Sequence, residues 1–163
     1  MAEIEFQILK PKDQTTFQLI ANWYSSEWNI PIETTIQRLE TVTTDNSQFQ
    51  ILLTLDGVPI STAGLYNHVG LIDKEPRFKI YNHWLALVYT IPSKRHRGYG
   101  ALLCEHIQSY SKSLGLNAIY LFTDTAEQLY KRLGWVEMER LKMAERNVVV
   151  MKKDLLNNST LNK

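Results

Sequence analysis

A mixed α/β fold with a mainly antiparallel sheet of about six or seven strands, flanked by about four helices, is what the sequence predicts. Three observations lead there. Short alternating apolar runs outnumber helix-period runs along the chain. The Asp56-Gly57 pair joins two such runs and is a strong hairpin signal. The apolar run Trp84 to Tyr89 passes through a glycine turn into a helical pattern, and a further apolar run follows. That sequence of events is a strand, a crossover helix and a strand, so a parallel pair must sit among antiparallel ones.

Taken in order, Ile4, Phe6 and Ile8 alternate with polar residues and predict a strand over about residues 3 to 9, stopped by Pro11. Asp13 is placed to cap a helix whose apolar stripe is Phe17, Ile20, Ala21, Tyr24 and Trp28. Pro31 suits the first turn of a second helix, with Ile32, Ile36 and Leu39 inward, running to about Thr43. Phe49 to Leu55 and Val58 to Tyr66 form the hairpin, and His68 to Ile80 reads as a long charged loop. Leu103, Ile107, Tyr110 and Leu114 repeat at helical spacing up to Gly115. Ala118 to Phe122 is a short strand, Thr125 to Arg132 a short helix closed by Gly134, and Trp135 to Arg140 and Asn147 to Lys152 two final strands. The predicted order is β-α-α-β-β-β-α-β-α-β-β.

The 163 residues suit a single domain over 1–155, with an Asn/Ser/Thr-rich tail over 156–163 expected to fray. Eighteen basic against seventeen acidic side chains leave a net charge of +1, so a nucleic-acid partner is not expected. The one cysteine, Cys104, forbids an intrachain disulfide and reads as a packing residue in a reducing compartment. No run approaches the length of a membrane span and no signal segment opens the chain, so no membrane partner and a cytoplasmic location are expected. His68, His83, His96 and His106 lack metal-ligand spacing, and no metal is expected.

The stretch Tyr89 to Ala101 concentrates the chemistry. Three basic side chains, Lys94, Arg95 and Arg97, precede Gly98-Tyr99-Gly100, and a helix opens there. A helix start offers unpaired N–H donors and partial positive charge, and glycines let a phosphate approach the backbone. A dinucleotide fingerprint needs a third glycine where Leu103 stands, and a P-loop needs Gly-Lys-Ser/Thr, which is absent. The bland alternative for the basic residues is a solvated turn.

Arg95-His96-Arg97-Gly98-Tyr99-Gly100-Ala101 resembles the Arg/Gln-x-x-Gly-x-Gly/Ala motif of the GNAT superfamily of N-acetyltransferases, with Pro92 in its usual place. Leu129-Tyr130-Lys131-Arg132-Leu133-Gly134-Trp135 looks like that family's downstream segment, and the element order covers about residues 3 to 153. The resemblance implies acetyl-CoA as acyl donor, with backbone N–H groups around Arg97 to Ala101 cradling its pyrophosphate, Lys94, Arg95 and Arg97 available for the remaining phosphate charge, and His96 within the same cofactor-binding stretch. It implies pantetheine pairing with Val88, Tyr89 and Thr90, and the Val88 N–H polarising the thioester carbonyl. Thr123 stands where relatives often carry a cofactor-touching Asn. Tyr130 stands as the acid that protonates the departing thiolate, its alternative being core packing.

The acceptor implied is a primary amine of a small molecule or peptide, attacked directly in a ternary complex. A lysine-like amine is about a thousandth neutral near pH 7.4, a cost of about 4 kcal/mol, so its proton needs a base. His83 is the first candidate, with Asp73 and Glu27 behind it; the fourth strand lacks the carboxylate that many relatives have. Trp23, Tyr24, Glu27 and Trp28 from the first helix, with Asp73 of the loop, are the candidate acceptor wall; otherwise Tyr24 and Trp28 are core and Glu27 is solvated. A polyamine, an aminoglycoside, an amino acid and a protein N-terminus stay open as acceptors, as do a longer acyl group and a homodimer. The competing function is a non-catalytic acyl-CoA binding or sensing module.

Overall fold

The computed structural model describes residues 2–156. The frayed tail expected from Leu156 onward therefore lies almost wholly outside the described residues. One seven-stranded sheet runs through the molecule in the order β1-β2-β3-β4-β5-β7-β6, formed by β1 (Ile4–Ile8), β2 (Phe49–Leu55), β3 (Val58–Tyr66), β4 (Trp84–Thr90), β5 (Ala118–Thr123), β6 (Val136–Met143) and β7 (Arg146–Asp154). Every neighbouring pair is antiparallel except β4 and β5. Five helices accompany it: α1 (Gln14–Trp28), α2 (Ile32–Val42), α3 (Gly70–Lys74), α4 (Tyr99–Ser113) and α5 (Glu127–Arg132). The expected mixed, mainly antiparallel class is borne out, and the element order holds apart from α3, a helix not expected between β3 and β4.

The two faces of the sheet carry separate cores. On one, Phe17, Ile20 and Tyr24 of α1 and Leu39 and Val42 of α2 pack on Leu52, Tyr66, Trp84 and Tyr89. On the other, Leu103, Cys104 and Ile107 of α4 and Tyr130 of α5 pack on Ile51, Leu53, Leu85, Leu121 and Met151. The α1 stripe works because positions three, four and seven apart share one side of a helix, and each large side chain fully buried there stabilises by about 1.5–3 kcal/mol.

Several local expectations fail for identifiable reasons. The stretch His68 to Ile80 is not a long irregular loop: α3 and a 3₁₀ turn over Pro76–Ile80 occupy it, anchored by buried Leu71, Ile72 and Phe78. Those apolar residues are spaced for short turns, which periodicity windows miss. Asp13 does not cap α1; its Oδ2 accepts from the Lys10 N–H at 2.8 Å and closes the turn before the helix. Ile32 is 38% exposed, and Thr35, Leu39 and Val42 are the buried residues of α2. Trp28, 42% exposed, ends α1 outside the core.

A buried polar network spans β2, β3 and α1. Tyr66 donates to Gln50 Oε1, Gln50 Nε2 donates to Thr62 Oγ1 at 2.9 Å and to the Tyr24 hydroxyl at 3.1 Å, and Thr62 donates to the Ile51 carbonyl at 2.8 Å. Gln50 pairs with Gly64 in the β2–β3 register, and the Tyr66 ring lies back over Gly64 to reach it. A Cβ built on Gly64 would overlap that ring. Gly64→Ala is therefore expected to lower stability by about 1–3 kcal/mol through overpacking, measured as a fall in the denaturant midpoint; an unchanged midpoint would show that the ring has room to move.

Candidate active site

The parallel pair β4 and β5 touches at one place. Trp84 is opposite Tyr120, and the Tyr120 N–H donates to the His83 carbonyl at 3.0 Å. Beyond that contact the strands separate toward their C-terminal ends, where open sheets place ligands. A cavity of about 550 Å³ fills the gap. Its walls are Leu85 to Val88 of β4, Leu121 to Ala126 after β5, Tyr130 of α5, and Trp28, Ile30, Arg38, Val69 and Gly70 from the α1–α3 side. Arg146 and Val148 of β7 complete it.

A bulge bends β4 at the cavity. Gly64 faces Ala86 and Thr62 faces Tyr89, so Leu87 and Val88 together oppose the single residue Ala63. Leu87 has φ +56°, a conformation a branched side chain adopts only at a cost. Hydrogen bonding compensates: the Tyr24 hydroxyl donates to the Leu87 carbonyl at 2.7 Å, and Gln50 in turn holds Tyr24. No peptide bond among the described residues is cis, so the Val88 N–H points opposite to the Leu87 carbonyl, away from Tyr24. Burial raises the Tyr24 phenol well above its ordinary value, which keeps it a donor.

The glycine turn follows directly. His96 has φ +64° and Gly98 φ +88°, with Arg97 between them outside that region, so backbone conformation alternates along the turn. Such alternation makes a concave array of N–H groups suited to an anion. The Leu102 N–H bonds the Gly98 carbonyl at 3.0 Å as the first bond of α4, leaving the Tyr99, Gly100 and Ala101 N–H groups without intrahelical partners. A Cβ on Gly98 would meet nothing within 4 Å, so the turn is open on the side where a ligand would lie.

Arg95 is turned elsewhere. Its Nε donates to the Thr90 carbonyl at 2.7 Å, its Nη2 meets Glu27 Oε1 at 3.0 Å, and its guanidinium lies over the Tyr89 ring at 5.3 Å. Two residues read separately, one toward the cofactor and one toward the acceptor, are thus partners in a clamp joining α1 to the end of β4. Trp23 stacks on Tyr89 at 5.3 Å and Trp28 meets it edge-on at 6.0 Å. Of the five acceptor-wall candidates, Trp23, Tyr24, Glu27, Trp28 and Asp73, only Trp28 lines the cavity. Asp73 is exposed and accepts from, or shares a proton with, His68 Nε2 at 2.9 Å.

His83 is not brought to the cavity. It directly precedes β4 at the closed end of the parallel pair, with φ +71° and a buried Nδ1 lacking a partner, near Asp45 and Ser47. Burial lowers its pKa, but Val88 lies toward the other end of the strand. Sequence distance along one strand was misleading because a strand of this length spans nearly the depth of the sheet. Thr123 lines the cavity, yet its Oγ1 accepts from the Ala126 N–H at 3.0 Å and the Thr125 N–H at 3.3 Å, holding the turn into α5.

Tyr130 is 6% exposed and lines the cavity beside the Cys104 thiol. Burial raises both: the thiol is pushed up to about 12 and the phenol well above its ordinary value. Cys104 is therefore an unreactive thiol under Tyr130. Three wall residues were missed in the sequence: Arg38, Asp124 and Arg146, the last two in contact at 3.4 Å. Asp124 directly follows Thr123 at a strand end, a signal that was available; Arg38 and Arg146 carried none. No cluster of three metal-ligating side chains occurs among the described residues, and no described helix is long and apolar enough to cross a membrane.

The site is thus a cleft between diverging parallel strands, opened by a bulge and followed by a glycine turn whose N–H groups start a helix. The chain belongs to the acetyltransferase (GNAT) family, whose sequence model matches residues 14–135. Solved structures share the fold across nearly the whole chain. An aminoglycoside 6'-N-acetyltransferase complexed with coenzyme A superposes at TM-score 0.74 with 13% identity, covering 94% of this chain and 98% of that one. A GNAT acetyltransferase from Streptococcus pneumoniae gives 0.71 with 18% identity over 93% and 99%. A chimera of the spermidine N-acetyltransferases from Vibrio cholerae and hSSAT gives 0.71 with 17% identity over 98% and 99%. No curated protein matches the sequence significantly.

Proposed function

We propose that the protein transfers an acetyl group from acetyl-CoA to a primary amine by direct attack, with both substrates bound across the β4–β5 cleft. The observation that carries the reading is that the N–H cradle at Gly98 to Ala101 continues the same strand whose bulge faces the cavity. Bound acetyl-CoA would supply an activated acyl carbonyl and a sulfur leaving group. The Val88 N–H donates to the carbonyl oxygen. The amine nitrogen forms the new C–N bond as the C–S bond breaks, and the electron pair leaves on sulfur. Tyr130 gives that sulfur its proton. The surplus proton of the amine goes to water or to Asp124, the wall carboxylate that Arg146 contacts at 3.4 Å. Structures named for aminoglycoside and spermidine acetylation support an amine acceptor.

Incubation with acetyl-CoA and a broad amine panel tests the reading by release of free thiol. Turnover with at least one amine is expected. Binding of acetyl-CoA without thiol release for any amine would instead select a non-catalytic acyl-CoA binding module, a reading favoured by the capture of Glu27 by Arg95 and the remote place of His83.

Tyr24→Phe probes the bulge. Removing the hydroxyl that fixes the Leu87 carbonyl loosens the Val88 N–H without touching the cradle. The expected result is a kcat lower by roughly tenfold, for a donor partly lost to misorientation, with acetyl-CoA affinity within about twofold. Equal losses in kcat and affinity would point to general unfolding of the strand instead.

A further inference from the structure

We infer that the acceptor amine also carries a carboxylate, and that Arg38 receives it. The inference rests on the acetyl-transfer reading above and specifies the chemical class of the acceptor.

Arg38 projects from α2 into the cavity wall, partly buried. Its guanidinium lies over the Tyr66 ring at 4.7 Å from the centroid. Arg77, Arg95, Arg140 and Arg146 each meet a carboxylate, but no ion pair among the described residues includes Arg38. A guanidinium presents five N–H donors in a rigid fork. The contact with the Tyr66 side chain cannot use all five, and two of the remaining donors match the two oxygens of a carboxylate.

The other charges of the cavity do not serve this group. Asp124 is held by Arg146 at 3.4 Å, so the wall retains one uncompensated positive charge. At the rim, Glu27 is engaged by Arg95. A polyamine or aminoglycoside would bring further ammonium groups toward Arg38 and find no unengaged wall carboxylate to hold them. An amine with a carboxylate meets complementary charge at that end. The arrangement also separates the two ends of such a molecule. Arg38 is linked to the β4 bulge through Tyr66, Gln50 and Tyr24, so the anion is held on the α2 side while the amine reaches toward Val88. Amino acids and short peptides have this chemistry.

The test uses matched pairs of amines, free acids and their C-terminal amides, with spermidine and an aminoglycoside alongside. Thiol release is followed with wild type, Arg38→Gln and Arg38→Lys. In wild type the acid is expected to exceed its amide in kcat/KM by roughly 10- to 100-fold, the range for a charge-assisted pair. In Arg38→Gln the preference falls to near parity through KM rather than kcat, and Arg38→Lys keeps part of it. Comparing ratios between variants cancels the difference in amine basicity between acid and amide. Acetyl-CoA affinity is expected within about twofold throughout, since Arg38 lies away from the cradle. Preference for the amide or for spermidine, a preference surviving in Arg38→Gln, or a loss of acetyl-CoA affinity in that variant would each overturn the inference. The same pairs are also titrated into protein saturated with coenzyme A. An Arg38-dependent acid preference in binding without any turnover would sink the transfer reading and keep the anion site. Turnover without that preference would sink the anion site alone, and neither binding nor turnover would sink both.

Discussion

Tyr130→Phe is expected to lower kcat by roughly 100-fold or more while leaving acetyl-CoA affinity nearly unchanged, because a positioned proton donor contributes about 10²–10⁴ in rate. The phenol reaches the cavity from α5 and is otherwise enclosed. Its raised pKa looks at first like a handicap for an acid. Free thiols and phenols differ by about 1.5 pKa units, and burial that raised only the phenol would make the transfer steeper. The adjacent Cys104 shows that this environment raises a thiol as well, up to about 12. A sulfur leaving beside it meets the same desolvation, so donor and acceptor rise together and the proton still has a short climb. The pH dependence follows in sign. A raised folded pKa means that Tyr130 stays protonated, so kcat should show no alkaline decline from this group up to about pH 10, where an ordinary phenol would be half ionised. Stopped-flow thiol release from preformed complexes, at several pH values, checks both points. Unchanged turnover in Tyr130→Phe under chemistry-limited conditions would leave Tyr130 with only its packing role against Trp135.

The second large effect is expected at Gly100. Gly100→Val should weaken acetyl-CoA binding by roughly 100-fold or more, because displacing two charge-assisted N–H contacts of about 1.5–3 kcal/mol each removes that much. The fold should survive. A Cβ at Gly100 meets only Thr90 Oγ1, at 3.8 Å, an ordinary contact. Gly98 does not offer so clean a test, because its φ of +88° would strain any side chain whatever the space. Calorimetry with acetyl-CoA and a thermal melt of the same sample separate binding from folding. Wild-type affinity in Gly100→Val would place the anion somewhere other than this helix start.

Gly98, Gly100 and the helix they open could be read directly because the information is local. Backbone N–H groups point where the turn sends them, and the turn depends on residues adjacent in sequence. The same holds for the Asp56-Gly57 hairpin and for the α1 stripe, whose spacing selects the buried face without reference to any partner. The side chains around the cradle were a different matter. Arg95 looked like a phosphate ligand from its place in the motif, yet it pairs with Glu27, 68 residues earlier in the chain. His83 looked close to the chemistry because it adjoins the right strand, and it lies near Asp45 and Ser47 at the closed end.

What the sequence by itself determined, then, is the order of the strands and of the helices other than α3, the glycine turn that opens α4 and the placing of Tyr130 on a helix beyond β5. Each depends on periodicity or on turn residues, which act over a few neighbours. Tertiary structure decided where β4 and β5 part, which charges are spent on each other, and which remain for a ligand. Arg38 illustrates the reason. Nothing within its own helix distinguishes it from a solvated surface arginine, and only the packing of α2 against Tyr66 brings its charge to the cavity wall, where no carboxylate of the described chain answers it. Charge pairing is set by distances in space, and those are written in long-range packing rather than in any local stretch.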